Sequence, residues 1–181
     1  GSKIQYNIIG YGRDVKKVKT SIRNSEHFTA NFIGEMNVNS LNDYLIKNVD
    51  LLMSMGGAAL EGGKLKIPTI LLDASYEEIS NNYKFKWLFN SDGSNVAQFI
   101  HSKSFENNGQ SIDKIIESVT GDQDTLGEKC FMYVKNNHNI NAVSNKLLAG
   151  VKKASFTWGD INPQLLKKNK IREIYDHYRY K

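Results

Sequence analysis

The chain has 181 residues, 40% of them apolar and 10% aromatic, and a formal net charge of +5. That is enough apolar material for one domain-sized core, and it excludes an intrinsically disordered chain. No apolar run approaches the roughly 20 residues of a membrane-spanning helix, and the single cysteine, Cys130, excludes an intramolecular disulfide and suits a reducing, cytoplasmic setting.

Gly1-Ser2 reads as a cloning remnant, and no signal peptide follows it. Lys3 to Ile9 reads as a strand that stops at Gly10-Tyr11-Gly12. From Arg13 to Arg23, Val15, Val18 and Ile22 recur at the spacing of one helical face. Phe28 to Ile33 reads as a second strand, closed by Gly34. Ser40 to Lys47 reads as a short helix with Leu41, Tyr44 and Leu45 inward, capped by Asn39 or Ser40.

Residues 49–73 are the most informative stretch. The apolar run Val49 to Met55 ends at Gly56-Gly57, a helix-compatible segment follows to Leu65, and a second apolar run, Ile67 to Leu72, ends at Asp73. Two apolar runs joined by a helix of this length predict a βαβ unit with parallel strands. The glycine pair falls where strand hands over to helix, a place where a ligand can reach the free N–H groups of a helix start. Glu61 falls one turn further on. Its bland reading is a first-turn acid that complements the helix dipole. The small residues Gly56 to Ala59 predict a crevice floor around it. The strands at 3–9, 28–33, 50–55 and 68–72 are expected in one parallel α/β doubly wound sheet, with helices on both faces and Gly56, Gly57, Glu61 and Arg13 converging at the carboxyl ends.

Tyr83 to Phe89 predicts a strand with aromatic faces in an otherwise irregular segment, 74–110. The C-terminal third reads as helical, with apolar faces at Ile112, Ile115, Ile116 and Val119, then Leu126, Cys130, Phe131 and Val134, then Ile140, Val143, Leu147, Leu148 and Val151. Cys130 is expected as a core thiol.

Several chemistries lack part or all of their sequence signature. Gly10-Tyr11-Gly12 is only part of a dinucleotide fingerprint, because Val15 stands where the third glycine belongs. Arg13 beside it suits phosphate oxygens. There is no G-x-S-x-G elbow and no GxxxxGK[ST] loop. His27, His101, His138 and His177 lack metal-ligand spacing, so no metal and no cofactor are expected.

The segments Asn7 to Gly12, Asn31 to Met36, Asp50 to Glu61 and Ile67 to Ile70 together resemble the C-terminal half of a retaining GT-B glycosyltransferase. The resemblance implies a Rossmann-like domain over about residues 1–160 that holds a nucleotide-sugar donor. It implies that Glu61 binds the ribose hydroxyls, that the Gly56, Gly57 and Ala58 amides meet the pyrophosphate, that Glu35 and Met36 lie by the base, and that Gly12 and Arg13 line the neighbouring mouth. Many relatives carry a second acid where this chain has Met53. The resemblance also implies an N-terminal acceptor domain outside this sequence, and an intact enzyme that makes cell-surface or capsular polysaccharide. Two rival readings stand beside it: a non-catalytic α/β ligand-binding or regulatory module, and one half of a dinucleotide-binding oxidoreductase.

Residues 164–181 hold six Lys and Arg against two Asp and Glu. The near-neutral remainder argues against a nucleic-acid partner. Residues 161–181 read as a basic amphipathic helix whose Ile171, Ile174, Tyr175 and Tyr178 pack on a core, with peripheral contact to an anionic membrane as its second use.

Overall fold

In a computed structural model, residues 3–92 and 95–162 are described. The expected helix at 161–181 falls almost wholly outside them. The chain divides into two compact units, Gly1–His138 and Asn139–Lys181. The fold is mixed α/β with small sheets, and no helix among the described residues is long and apolar enough to cross a membrane.

The first unit runs β1 (Ile4–Ile9), α1 (Val15–Ser21), β2 (Phe28–Gly34), α2 (Val38–Asn48), β3 (Leu52–Ser54), α3 (Gly56–Lys64), β4 (Thr69–Leu71), β5 (Lys86–Trp87) and α4 (Ile112–Asn137). β1 pairs parallel with β2 from Ile4↔Phe28 to Ile8↔Phe32, and β3 pairs parallel with β4 from Leu52↔Thr69 to Ser54↔Leu71. The expected single sheet is instead two, β1-β2 and β3-β4-β5. The sequence carries the reason. A central strand of a doubly wound sheet is apolar on both faces, whereas β1 and β2 place Asn7 beside Asn31, joined at 2.9 Å, and bury no side chain fully. The aromatic strand expected over 83–89 shrinks to Lys86–Trp87 and runs antiparallel to β4. Leu88–Asn90 turns into a short 3-10 helix immediately after it.

α2 starts earlier than expected. Asn37, not Asn39 or Ser40, is its cap, and its side-chain oxygen accepts from the Ser40 N–H at 2.9 Å.

The core lies around β4, where Ile67 to Leu71 are all buried. Successive strand residues face opposite sides. Ile70 joins Trp87, Ile115, Val119 and Leu126, and Leu71 joins Ala59, Leu88, Cys130 and Tyr133. α4 supplies both clusters, and it kinks at Asp122 (φ −157°, ψ 67°), whose carboxylate accepts the Thr125 N–H at 3.2 Å where the helix restarts. The two apolar faces read from the sequence lie on either side of this break.

Cys130 is fully buried, and its sulfur accepts the Thr69 N–H at 3.4 Å. Burial pushes its thiol up from 9.0 to about 11. The folded thiol stays protonated where the unfolded one ionises, so stability falls as pH rises from 9 toward 11, by at most about 1.4 kcal/mol per pH unit. Urea unfolding measured below and above pH 9 should show this decline. Cys130→Ala should flatten it, and an unchanged slope in that variant would remove Cys130 as its source. Burial also raises Tyr83 and Tyr133 from 10.0, which steepens the decline above pH 10 for the same reason.

The second unit is described from Asn139 to Asn162. It contains α5 (Ile140–Lys153), capped by the Asn139 side chain, and a 3-10 turn at Trp158–Asp160.

Candidate functional site

Two strand-end mouths carry the eight residues singled out above. The first lies at the carboxyl ends of β1 and β2, tied together by Gly10 N–H donating to the Gly34 carbonyl at 2.8 Å. Gly12 and Arg13 follow β1, and Glu35 and Met36 follow β2. Gly12, Arg13 and Glu35 are exposed and Met36 is half-buried.

The second mouth lies at the end of β3. Gly56 enters α3 with φ +58°, a left-handed conformation that favours glycine, and no atom of the described residues lies where a Cβ on Gly56 or Gly57 would need space. The residue before it, Met55, has no oxygen in its side chain and leaves the helix uncapped. The Gly56 N–H is taken, at 3.1 Å, by the Val96 carbonyl. The Gly57 and Ala58 N–H groups have no acceptor among the described residues. These belong to the set of helix-start donors that the helix itself cannot satisfy.

Glu61 sits in the second turn of α3, so the first-turn reading does not hold. It shares an exposed face with Gly57 and Ala58, four and three residues back, while Ala59, Gly62 and Gly63 form the buried face. Side chains on a helix lean toward its N-terminus, so the Glu61 carboxylate inclines toward the open amides. Lys64 holds it from the other side at 3.3 Å, with both side chains about half exposed. Such a surface pair contributes about 0–1 kcal/mol and yields readily to a competing ligand.

Of the residues expected to floor a crevice, Gly57 and Ala58 are exposed and Ala59 is buried, and the two glycines after Glu61 serve packing. A Cβ on Gly62 would strike Leu52 and Thr69, and one on Gly63 would strike Val134 and Leu88. The pair lets α3 lie against β3, β4 and α4.

The structure gathers Gly12, Arg13, Glu35 and Met36 at one sheet end and Gly56, Gly57, Ala58 and Glu61 at another. No hydrogen bond or ion pair links the two groups among the described residues. The expected convergence of Arg13 with Glu61 is therefore not seen as a contact.

Sequence reasoning missed two features. Ser54 Oγ, at the end of β3, is buried with no hydrogen-bond partner among the described residues, a state that costs about 1–3 kcal/mol. A cleft of about 320 Å³ in the irregular segment is lined by Phe85, Lys86, Trp87, Asp92, Glu106 and Gln110, among others, and contains none of the eight. It adjoins a smaller hollow reaching Leu71 and Asp73. Long-range pairings build this region: Phe85 and Gln110 exchange backbone hydrogen bonds at 2.8 Å, and Lys84 N–H donates to the Asn107 side chain at 2.8 Å. No periodicity announces contacts between residues so far apart.

His27 and His101 are exposed, and His138 ends α4 beside the Tyr133 hydroxyl at 3.4 Å. His177 lies outside the described residues. No three His, Cys, Asp or Glu side chains gather into a metal-binding group among the described residues. No protein-family model, curated protein or solved structure matches the chain.

Proposed function

We propose that this chain is the donor-binding part of a glycosyltransferase, which transfers a sugar from a nucleotide-diphosphate sugar to a hydroxyl acceptor in cell-surface or capsular polysaccharide synthesis at the cytoplasmic side of a membrane. The observation that carries the reading is the start of α3. There an uncapped, glycine-entered helix follows a parallel strand, offers two N–H groups that have no acceptor among the described residues, and carries a carboxylate one turn on along the same face. A helix N-terminus attracts a diphosphate through its amides and its dipole. A carboxylate beside it accepts two hydrogen bonds from adjacent ribose hydroxyls.

The finer fold reading belongs to the same proposal. The parallel pairs β1-β2 and β3-β4, each with a helix between its two strands, support a Rossmann-like domain whose ligands meet carboxyl strand ends. In this reading the Gly57 and Ala58 amides neutralise charge on the leaving diphosphate, and Arg13 adds to it from the β1 mouth. Glu35 and Met36 follow β2 as the base-side contacts, and the acceptor is held by the N-terminal domain that the resemblance implies. Gly56 can join only after its amide gives up the Val96 carbonyl.

Calorimetry of the 181-residue chain with a panel of nucleoside diphosphates tests the proposal. One of them should bind, and Glu61→Gln should weaken it by roughly 1–3 kcal/mol, about fivefold to 150-fold. Lys64→Ala, which frees Glu61 from its ion pair, should leave that affinity intact or improve it. Equal affinity in wild type and Glu61→Gln would take Glu61 out of the site, and no heat with any diphosphate would sink the reading.

A further inference from the structure

The second unit presents a surface of distinct character. Ile140, Val143, Leu147, Leu148 and Val151 of α5 fall on one arc of roughly 140°, at 3.6 residues per turn. All are exposed: Ile140 by 74%, Leu147 by 66%, Val151 by 63%. Phe156 and Trp158 beyond the helix are exposed by 65% and 76%. Trp158 opens a turn held by reciprocal capping, in which the Thr157 N–H and hydroxyl both donate to the Asp160 carboxylate at 2.6 and 2.8 Å. Lys146 and Lys152 fall just beyond the two edges of this arc and Lys153 lies further round α5, which contains no acidic residue.

Charge decides what fits this stripe. Residues 139–181 hold nine Lys and Arg against three Asp and Glu, whereas residues 1–138 hold fifteen against sixteen. The whole positive excess of the chain therefore lies in the unit that carries the open apolar stripe. A second copy of this unit would bring like charges together, and so would the chain's own residues 163–181, which are net basic. An anionic bilayer suits both halves of the surface. Acyl chains receive the aliphatic stripe, tryptophan rests at headgroup level, and lysines reach the phosphates from the flanks. The basic residues described in this unit are all lysines. Arginine, the residue enriched in protein interfaces, is absent from them.

We propose that α5, with Phe156 and Trp158, is an in-plane docking surface for an anionic lipid bilayer. The proposal does not depend on the nucleotide-binding reading. Its test is co-sedimentation of the 181-residue chain with vesicles of phosphatidylcholine alone or with about a third phosphatidylserine, at low and high salt. Binding should appear only with phosphatidylserine and fall with salt. Trp158 emission should shift to the blue, a change absent from Trp158→Phe, while Trp87 stays buried throughout. Leu147→Glu with Leu148→Glu, both at exposed positions, should cut binding at least about tenfold and leave the melting transition in place. No sedimentation at low salt would overturn the proposal, and so would binding indifferent to the double change. A dimer abolished by that change without any vesicle binding would assign the stripe to a second copy. Equal, stripe-dependent binding to polyglutamate would assign it to an acidic protein. Either result overturns the lipid reading.

Discussion

Gly127→Ala should be among the most damaging single-methyl additions in this protein. Gly127 lies on α4 where the helix passes the Lys66 backbone, and a Cβ there would overlap the Lys66 carbonyl. Neither side can yield easily. Lys66 is held in the left-handed region at φ +60°, its N–H bound to the Gly63 carbonyl at 3.1 Å and the next N–H, of Ile67, bound to Gly62 at 3.0 Å. Beyond it begins the buried run Ile67 to Leu71. The helix cannot retreat, because Leu126 and Cys130 on either side of Gly127 are in the two core clusters. Overpacking of this kind costs roughly 3 kcal/mol, which lowers the melting temperature by about 10 °C. Gly121→Ala on the same helix meets open space and should instead stabilise, by about 0.5–1 kcal/mol, through lost chain entropy in the unfolded state. Thermal melts of the two variants give opposite signs if the close approach is real, and a Gly127→Ala melt equal to wild type would refute it.

The same glycines show where the sequence misleads. Strand, glycine mouth and helix were legible three times over, because a change in periodicity beside glycine is a local signal. The parallel sense of β1-β2 and β3-β4 followed from the helices between them. The partition into two sheets was not legible, since it depends on which strand edges meet, and only the middling polarity of Asn7 and Asn31 hinted that β1 and β2 would stay off the main core. Gly62 and Gly63 continue the small-residue run past Glu61. In three dimensions they face Leu52, Thr69, Leu88 and Val134. Small residues next to a candidate acid can mean either ligand access or helix-on-sheet contact, and helical phase decides. Gly57, Ala58 and Glu61 share the outward face, and Ala59, Gly62 and Gly63 share the inward one. The cap at Asn37 was displaced by two residues for a related reason: Asn37, Asn39 and Ser40 are all competent caps, and the chain path chooses among them.

One carboxylate ties two distant parts of the segment after β4 together, and Asp73→Ala should loosen both. Asp73 Oδ1 accepts the Gln98 N–H at 2.7 Å, and Oδ2 accepts the Tyr83 hydroxyl at 2.9 Å. Tyr83 in turn meets Phe85 edge-on with centroids 4.9 Å apart, and Ala74 bridges to Phe99 through bonds to Gln98 and Ile100. Hydrogen bonds to a charged acceptor contribute roughly 1.5–3 kcal/mol each, and these two are part-buried, so the alanine variant should lose about 2–4 kcal/mol. Asp73→Asn keeps one oxygen acceptor and should lose about half as much. The variant also bears on the candidate site. Val96, two residues before Gln98, supplies the carbonyl that occupies the Gly56 N–H. Releasing Gln98 should therefore speed hydrogen exchange at Gly56 together with Gln98 and Ile100, while the Thr69 and Leu71 amides in the core stay protected. If Gly56 exchanges at the wild-type rate while Gln98 accelerates, the Val96–Gly56 bond stands on its own, and the 95–98 segment does not couple Asp73 to the start of α3. If all three accelerate together, the strand-end acid and the glycine mouth are one cooperative unit. A diphosphate bound at α3 should then confer protection on Gly57 and Ala58 without restoring it to Gln98.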